Sequence, residues 1–184
     1  YEWFGYSVSA KQGLLAIGAP QSRICALSSC VTNDKDKQSI GRVYLYKYPN
    51  KLPITVFSGE HEFQQFGYSV DMSFNQVANK AIIAISSLTK ESKLDESLTP
   101  IKYKLNRAGI VELFDITNQP SGSNPKLIAN LKSDRPYSSF GSKVKFFKTN
   151  LDNDHEDLFI SAQMRTQDIL LIDQSKKGLI LIFL

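Results

Sequence analysis

A chain of 184 residues, 42% hydrophobic and 22% charged, with 10 Gly and 7 Pro, has the proportions of one ordinary globular domain. Collagen-like, coiled-coil and fully disordered chains are excluded. Its 22 Lys and Arg outnumber 18 Asp and Glu by a net charge of only +4, too weak a surplus for a nucleic-acid face, and no apolar stretch is long enough for a transmembrane helix. The 11 Phe and 8 Tyr, accompanied by β-branched residues in short runs, lean towards strands, so the expected fold class is all-β. Neither an initiator Met nor a charged-then-apolar leader precedes Tyr1; a targeting signal is expected to have been removed or to lie outside these residues.

In chain order, the first apolar runs are residues 4–8, 14–20, 41–46 and 54–59, each ending in turn residues. Residues 21–39 between the second and third runs are polar and without period, and read as an exposed loop. That loop holds both cysteines, Cys25 and Cys30, in neither zinc, redox nor haem spacing; a small-loop disulfide and two free thiols both fit. Runs at 66–70, 82–87, 109–114 and 126–131 repeat the same order, with a second polar insertion at 89–107. A third set occupies 140–144, 157–162 and 178–183, and a fourth run is missing from this reading.

Successive Phe-Gly pairs begin at Phe4, Phe66 and Phe140, and the glycines opening the third run are Gly41, Gly109 and Gly178. Fixed order with variable loops marks a structural repeat. Four strands per unit correspond to one propeller blade. The units are drawn at residues 1–62, 63–136 and 137–184, the last incomplete. Closed propellers generally need about four to eight blades. Three would leave apolar inter-blade faces and strand edges open, so isolated chains are expected to aggregate.

Candidate chemistry is sparse. Asn150-Leu151-Asp152-Asn153-Asp154-His155-Glu156-Asp157 precedes the run at 158–161, and alternating carboxylates in a tight loop can gather hard oxygens around calcium; a solvated polar turn is the plainer alternative. Asp71, Ser73, Asn75 and Asn79 form a weaker echo, expected to be empty, and residues 9–13 read as a turn too short for such a loop. His61 follows Glu60 in a turn without a nucleophile beside it. Ser86 and Ser161 end runs without a Gly-x-Ser-x-Gly elbow. Trp3 and Tyr6 read as inter-blade packing, and Lys176-Lys177 as a soluble turn.

Phe4-Gly5-Tyr6-Ser7-Val8, Leu15-Ala16-Ile17-Gly18-Ala19-Pro20 and Gly41-Arg42-Val43-Tyr44-Leu45-Tyr46 together resemble the FG-GAP repeat of seven-bladed β-propellers, as in integrin alpha subunits. Within that class, the stretch from Trp3-Phe4-Gly5-Tyr6-Ser7 to Phe57-Ser58-Gly59-Glu60 and Phe66-Gly67 is similar to the C-terminal propeller of the glycosylphosphatidylinositol (GPI)-specific phospholipase D family. The resemblance implies a non-catalytic propeller portion of a secreted protein that hydrolyses the inositol phosphodiester of GPI anchors. Catalysis and its zinc ions would belong to an N-terminal domain outside this chain, whose two histidines, His61 and His155, sit in separate units and cannot assemble a multi-zinc site. The implied partners are the rest of the propeller, that catalytic domain, and GPI-anchored proteins or another protein ligand. An integrin-like adhesion propeller is the alternative. Carried over residue by residue, Asn150, Asp152 and Asp154 match the first, third and fifth calcium-ligand positions and Asp157 the closing carboxylate. The closing acid comes one residue early, and His155 stands where the family has Gly.

Overall fold

β-Branched and aromatic residues in short runs fit a pleated surface, and runs apolar on both sides of the pleat are stable only between two other layers. The computed structural model bears this out. It describes residues 2–23, 40–61, 63–89, 92–93, 104–105, 108–133, 137–148, 156–162, 170–173 and 179–183, which contain strands and no helix.

The first sheet is an antiparallel meander of β1 (Ser7–Lys11), β2 (Leu14–Ala19), β3 (Arg42–Lys47) and β4 (Thr55–Ser58). The second repeats that order with β5 (Phe66–Asn75), β6 (Lys80–Ser87), β9 (Ile110–Asp115) and β10 (Lys126–Lys132). The third contains β11 (Phe140–Phe147), β12 (Asp157–Ala162), β13 (Leu170–Asp173) and β14 (Leu179–Phe183). Strand β5 packs against β1 on one side and β11 on the other. The first strands of successive units therefore lie side by side, as the innermost strands of neighbouring propeller blades do. The chain is an all-β segment of a propeller.

Two apolar layers hold the blades together. Ala16, Val43, Leu45 and Phe57 of the first blade interlock with Phe66, Val70, Met72, Ile83 and Ile85 of the second. Ala84 and Val111, on the opposite face of the second blade, meet Val144, Phe146, Leu158 and Ile160 of the third. Period-two alternation thus sends Ile83 and Ile85 one way and Ala84 the other. Each large aliphatic side chain withdrawn from water contributes about 1.5–3 kcal/mol, so these layers dominate the cohesion between sheets.

Three elements depart from the sequence reading. Residues 9–13 are not a turn: β1 continues to Lys11, and Gln12 and Gly13 alone make the bend, both at positive φ. The insertion at 89–107 contains a two-stranded ladder, β7 (Ser92–Lys93) with β8 (Lys104–Leu105), because backbone groups pair even where side chains show no period. In the third sheet a fourth strand is present, and the order is β11-β12-β14-β13. The run expected third, β14, is next to β12 but parallel to it, and β13 takes the outer position by hairpin pairing with β14. Both runs are apolar enough for a sheet, so pairing geometry rather than composition sets their order.

Candidate functional site

The three innermost strands meet in a buried polar ladder. Counting from each Phe-Gly pair, Ser9, Asp71 and Lys145 occupy the same position, five residues beyond the Phe. Asp71 lies between the other two. Its Oδ1 accepts from the Ser9 hydroxyl at 2.7 Å, and its Oδ2 accepts from the Phe146 N–H at 2.7 Å. Lys145 Nζ stands 3.3 Å from Oδ2, with its side chain 69% exposed against 5% for Asp71. Two residues nearer the Phe-Gly pairs, Ser69 Oγ accepts the Val144 N–H at 3.1 Å, and the Ser7 hydroxyl donates to the Gly67 carbonyl at 2.8 Å. A buried carboxylate is costly unless hydrogen-bonded, and these donors meet that cost while tying three blades together.

This placement corrects the reading of Asp71, Ser73, Asn75 and Asn79 as a loop. Asp71 and Ser73 pair with Ala84 and Ile82 inside the β5–β6 ladder, and Asn75 closes the hairpin by accepting the Ala78 N–H at 2.8 Å. Ser86 and Ser161 also have an assigned task. Pairing is irregular at the start of β5 and β11, where the Phe-Gly segment leaves the ladder. There Ser86 Oγ accepts the Ser69 N–H at 2.9 Å and Ser161 Oγ accepts the Lys143 N–H at 3.0 Å. In the first blade Gly18 stands opposite Ser7 instead, leaving room for the Ser7 hydroxyl. The serines that replace Gly18 in later copies are structural acceptors.

Of the expected calcium ligands, Asn150, Asp152 and Asp154 lie outside the described residues. Asp157 heads β12, buried and paired in register with Phe147. Beside it, Glu156 turns one carboxylate oxygen to the Lys11 ammonium of the first blade, while its buried Oε2 has no hydrogen-bond partner among the described residues. Among those residues no three His, Cys, Asp or Glu side chains converge as a metal site. Cys25, Cys30, His155 and Lys176-Lys177 also lie outside the described residues.

His61 has an exposed side chain, its ring 3.9 Å from Glu60. Its backbone is held by buried Gln64, whose Oε1 accepts the N–H groups of Glu60 and His61 at 2.8 and 3.1 Å and whose amide reaches Ser87 at 3.0 Å. Sequence reasoning passed over Gln64 because a lone Gln carries no motif. Trp3 and Tyr6 are about half exposed and stack at 5.4 Å, and Tyr6 meets Tyr68 of the next blade at 4.9 Å. The hydrogen bond to Tyr68, then burial and the neighbouring phenol, push the Tyr6 pKa up to about 12, so its hydroxyl stays protonated at neutral pH. Burial pushes the Asp115 carboxyl up, but hydrogen bonds from Thr117 and the charges of Lys80 and Lys126 outweigh it and leave it below its ordinary value. That shift belongs to the turn after β9.

No family model matches the chain. It is 28% identical over 179 residues to phosphatidylinositol-glycan-specific phospholipase D of Mus musculus and 25% identical over 178 residues to that of Homo sapiens. The chain is similar to that phospholipase over 92% of its length. A protein of the same description from Dictyostelium discoideum is 26% identical over 187 residues. The similarity takes in 20% of the mouse and human relatives, so the chain spans about one fifth of their length. No helix among the described residues is long and apolar enough to cross a membrane.

Proposed function

We propose that the chain is a non-catalytic β-propeller portion, of FG-GAP type, of a secreted GPI-specific phospholipase D-like protein. The parent would hydrolyse the inositol phosphodiester of GPI anchors and release the anchored proteins. The carrying observation is that similarity to this phospholipase extends over 92% of a chain built from three repeated sheets. The polar side chains of its first and second strands support the same division of labour, since Ser69 and Asp71 of β5, Ser86 of β6 and Ser161 of β12 are committed to holding strands. The propeller then supports a zinc-dependent catalytic domain elsewhere in the parent and contacts its substrate or another protein. Purified parent protein is expected to release a GPI-anchored reporter from detergent extracts, and the 184-residue chain is expected to release none. Release by the chain alone, or none by the parent, would overturn this assignment.

Calcium belongs to the same proposal. Asn150, Asp152 and Asp154 would supply oxygens from the loop before β12, with Asp157 as the closing carboxylate, and the bound ion would stiffen that connection. The buried Glu156 oxygen at the end of the loop, which has no hydrogen-bond partner among the described residues, is in keeping with a nearby cation. Calcium at about a hundredfold above its dissociation constant would stabilise the intact propeller by about 2.7 kcal/mol, which raises the thermal midpoint of a domain larger than this chain by roughly 3–5 °C. Chelation should remove that increment from the parent and leave an Asp152→Ala, Asp154→Ala double variant unchanged. A chelation-insensitive parent would count against the site.

A further inference from the structure

Tight turns favour Gly, Asn, Asp, Pro and Ser, because a side chain at the tip reaches no core and gains nothing by being apolar. The connection from β9 to β10, residues 117–125, is made largely of such residues. Two other connections are not. The three most exposed large apolar side chains among the described residues are Tyr48 at 84%, Leu52 at 78% and Val77 at 77%, and all three sit at hairpin tips. Tyr48 and Leu52 lie between β3 and β4, and Val77 lies between β5 and β6. None belongs to either apolar layer.

The topology brings these tips to one edge. In an antiparallel four-stranded meander, the first-to-second and third-to-fourth connections leave from the same end of the sheet. Hydrogen bonds then align that end of the first blade with that of the second: the Gly122 N–H donates to the Ile54 carbonyl at 2.8 Å, and the Thr55 hydroxyl to the Ser123 carbonyl at 3.4 Å. Within the blades, the Tyr48 N–H donates to the Gly13 carbonyl at 2.8 Å and the Ala81 N–H to Thr117 Oγ1 at 3.0 Å. The turns are closed as well, by the Asn50 N–H on the Lys47 carbonyl and the Ala78 N–H on Asn75 Oδ1, each at 2.8 Å. The charge of this edge has one sign. Exposed Lys47, Lys51 and Lys80 flank the apolar tips, and the four connections of the two blades contain neither Asp nor Glu. The carboxylate at their border, Asp115, has the charges of both Lys80 and Lys126 beside it.

We propose that this edge docks on an anionic lipid surface, with Tyr48, Leu52 and Val77 entering the headgroup layer and Lys47, Lys51 and Lys80 lying against the lipid phosphates. Lysine stems cover apolar surface while their ammonium groups stay among polar headgroups, and a tyrosine has one apolar side and one wet end, which suits the same boundary. A surplus of ammonium groups beside a negatively charged leaflet adds attraction. A protein partner fits less well. Protein interfaces are depleted in Lys and enriched in Arg, and no Arg lies in these connections or at the strand ends that flank them. The inference rests on surface chemistry and stands whether or not the parent cleaves GPI anchors.

Co-sedimentation of the full-length parent protein with vesicles tests it, in the presence of a chelator so that no calcium bridges carboxylates to lipid. Equimolar phosphatidylserine and phosphatidylcholine vesicles should bind the parent about tenfold or more tightly than phosphatidylcholine alone. A Lys47→Gln, Lys51→Gln, Lys80→Gln triple variant should lose roughly a hundredfold on the anionic vesicles, about fivefold for each lysine. Tyr48→Ser, Leu52→Ser, Val77→Ser together should weaken binding to both kinds of vesicle by about tenfold or more. Tyr137→Ser removes an exposed aromatic ring from the opposite edge and should change neither. All these side chains are exposed, so each variant should keep the parent's thermal midpoint. A parent that binds neither kind of vesicle overturns the proposal, as does binding that both triple variants retain. Equal loss in Tyr137→Ser also overturns it, by placing the contact elsewhere. The assay contains no GPI anchor, so its result is separate from that of the release assay.

Discussion

Gly41→Ala is expected to destabilise the protein by about 3 kcal/mol or more, the largest effect of any single methyl group added to the first blade. Gly41 has φ +82°, and a Cβ there would lie 2.1 Å from the Phe66 carbonyl oxygen and 2.4 Å from its nitrogen. Those are backbone atoms in the junction between blades, so no rotamer change relieves the overlap. Strain and overlap separate cleanly, because Gly13 has φ +76° with nothing within 4 Å of its Cβ position. Gly13→Ala should therefore cost only the left-handed backbone penalty of about 1–2 kcal/mol. Gly109→Ala should match Gly41→Ala, since its Cβ would lie 2.1 Å from the Phe140 carbonyl oxygen. Denaturant midpoints decide the matter: equal losses for Gly41→Ala and Gly13→Ala would mean that the junction yields and that the blades are not locked at this point.

Asp71→Ala is expected to cost about 3–5 kcal/mol, the loss of two buried hydrogen bonds to a charged acceptor. The change leaves the buried Phe146 N–H and the Ser9 hydroxyl without their acceptor. Lys145 contributes little to this figure. Its side chain is mostly exposed, so Lys145→Ala should cost under about 1 kcal/mol. Asp71→Asn keeps an oxygen for one of the two donors and should lose about 1–2 kcal/mol. If the carboxylate works through buried hydrogen bonds, equilibrium unfolding should rank the losses with Asp71→Ala largest, Asp71→Asn next and Lys145→Ala smallest. A loss for Lys145→Ala equal to that for Asp71→Ala would instead make the ion pair the main contribution.

Much of the fold could be read from local pattern. Phe-Gly and the second apolar run recur in fixed order in all three units, and a glycine opens the third strand in the first two. Each signal lies within six or seven residues, so most strands and the units were legible without long-range information, whereas β13, which precedes Gly178 and β14, was not. The polar ladder was not. Ser9, Asp71 and Phe146 are separated by 62 and 75 residues, and neither distance leaves a mark in any short window. Asp71 looked like part of a loop because Ser73 and Asn75 follow it at alternating spacing, a spacing that a strand shares. Ser86 and Ser161 looked like decayed copies of Gly18, yet each hydroxyl holds a backbone N–H where strand pairing is irregular.

The amino-acid order by itself determined that this protein is built of short strands in repeated sets, since side-chain alternation and turn residues act over a few positions. Tertiary structure decided the rest: which face of each sheet is covered, that β14 runs parallel to β12 with β13 outside it, and that Asp71 binds its neighbours. These depend on backbone groups and side chains meeting across sheets, where the free energy comes from excluding water between surfaces far apart in the chain.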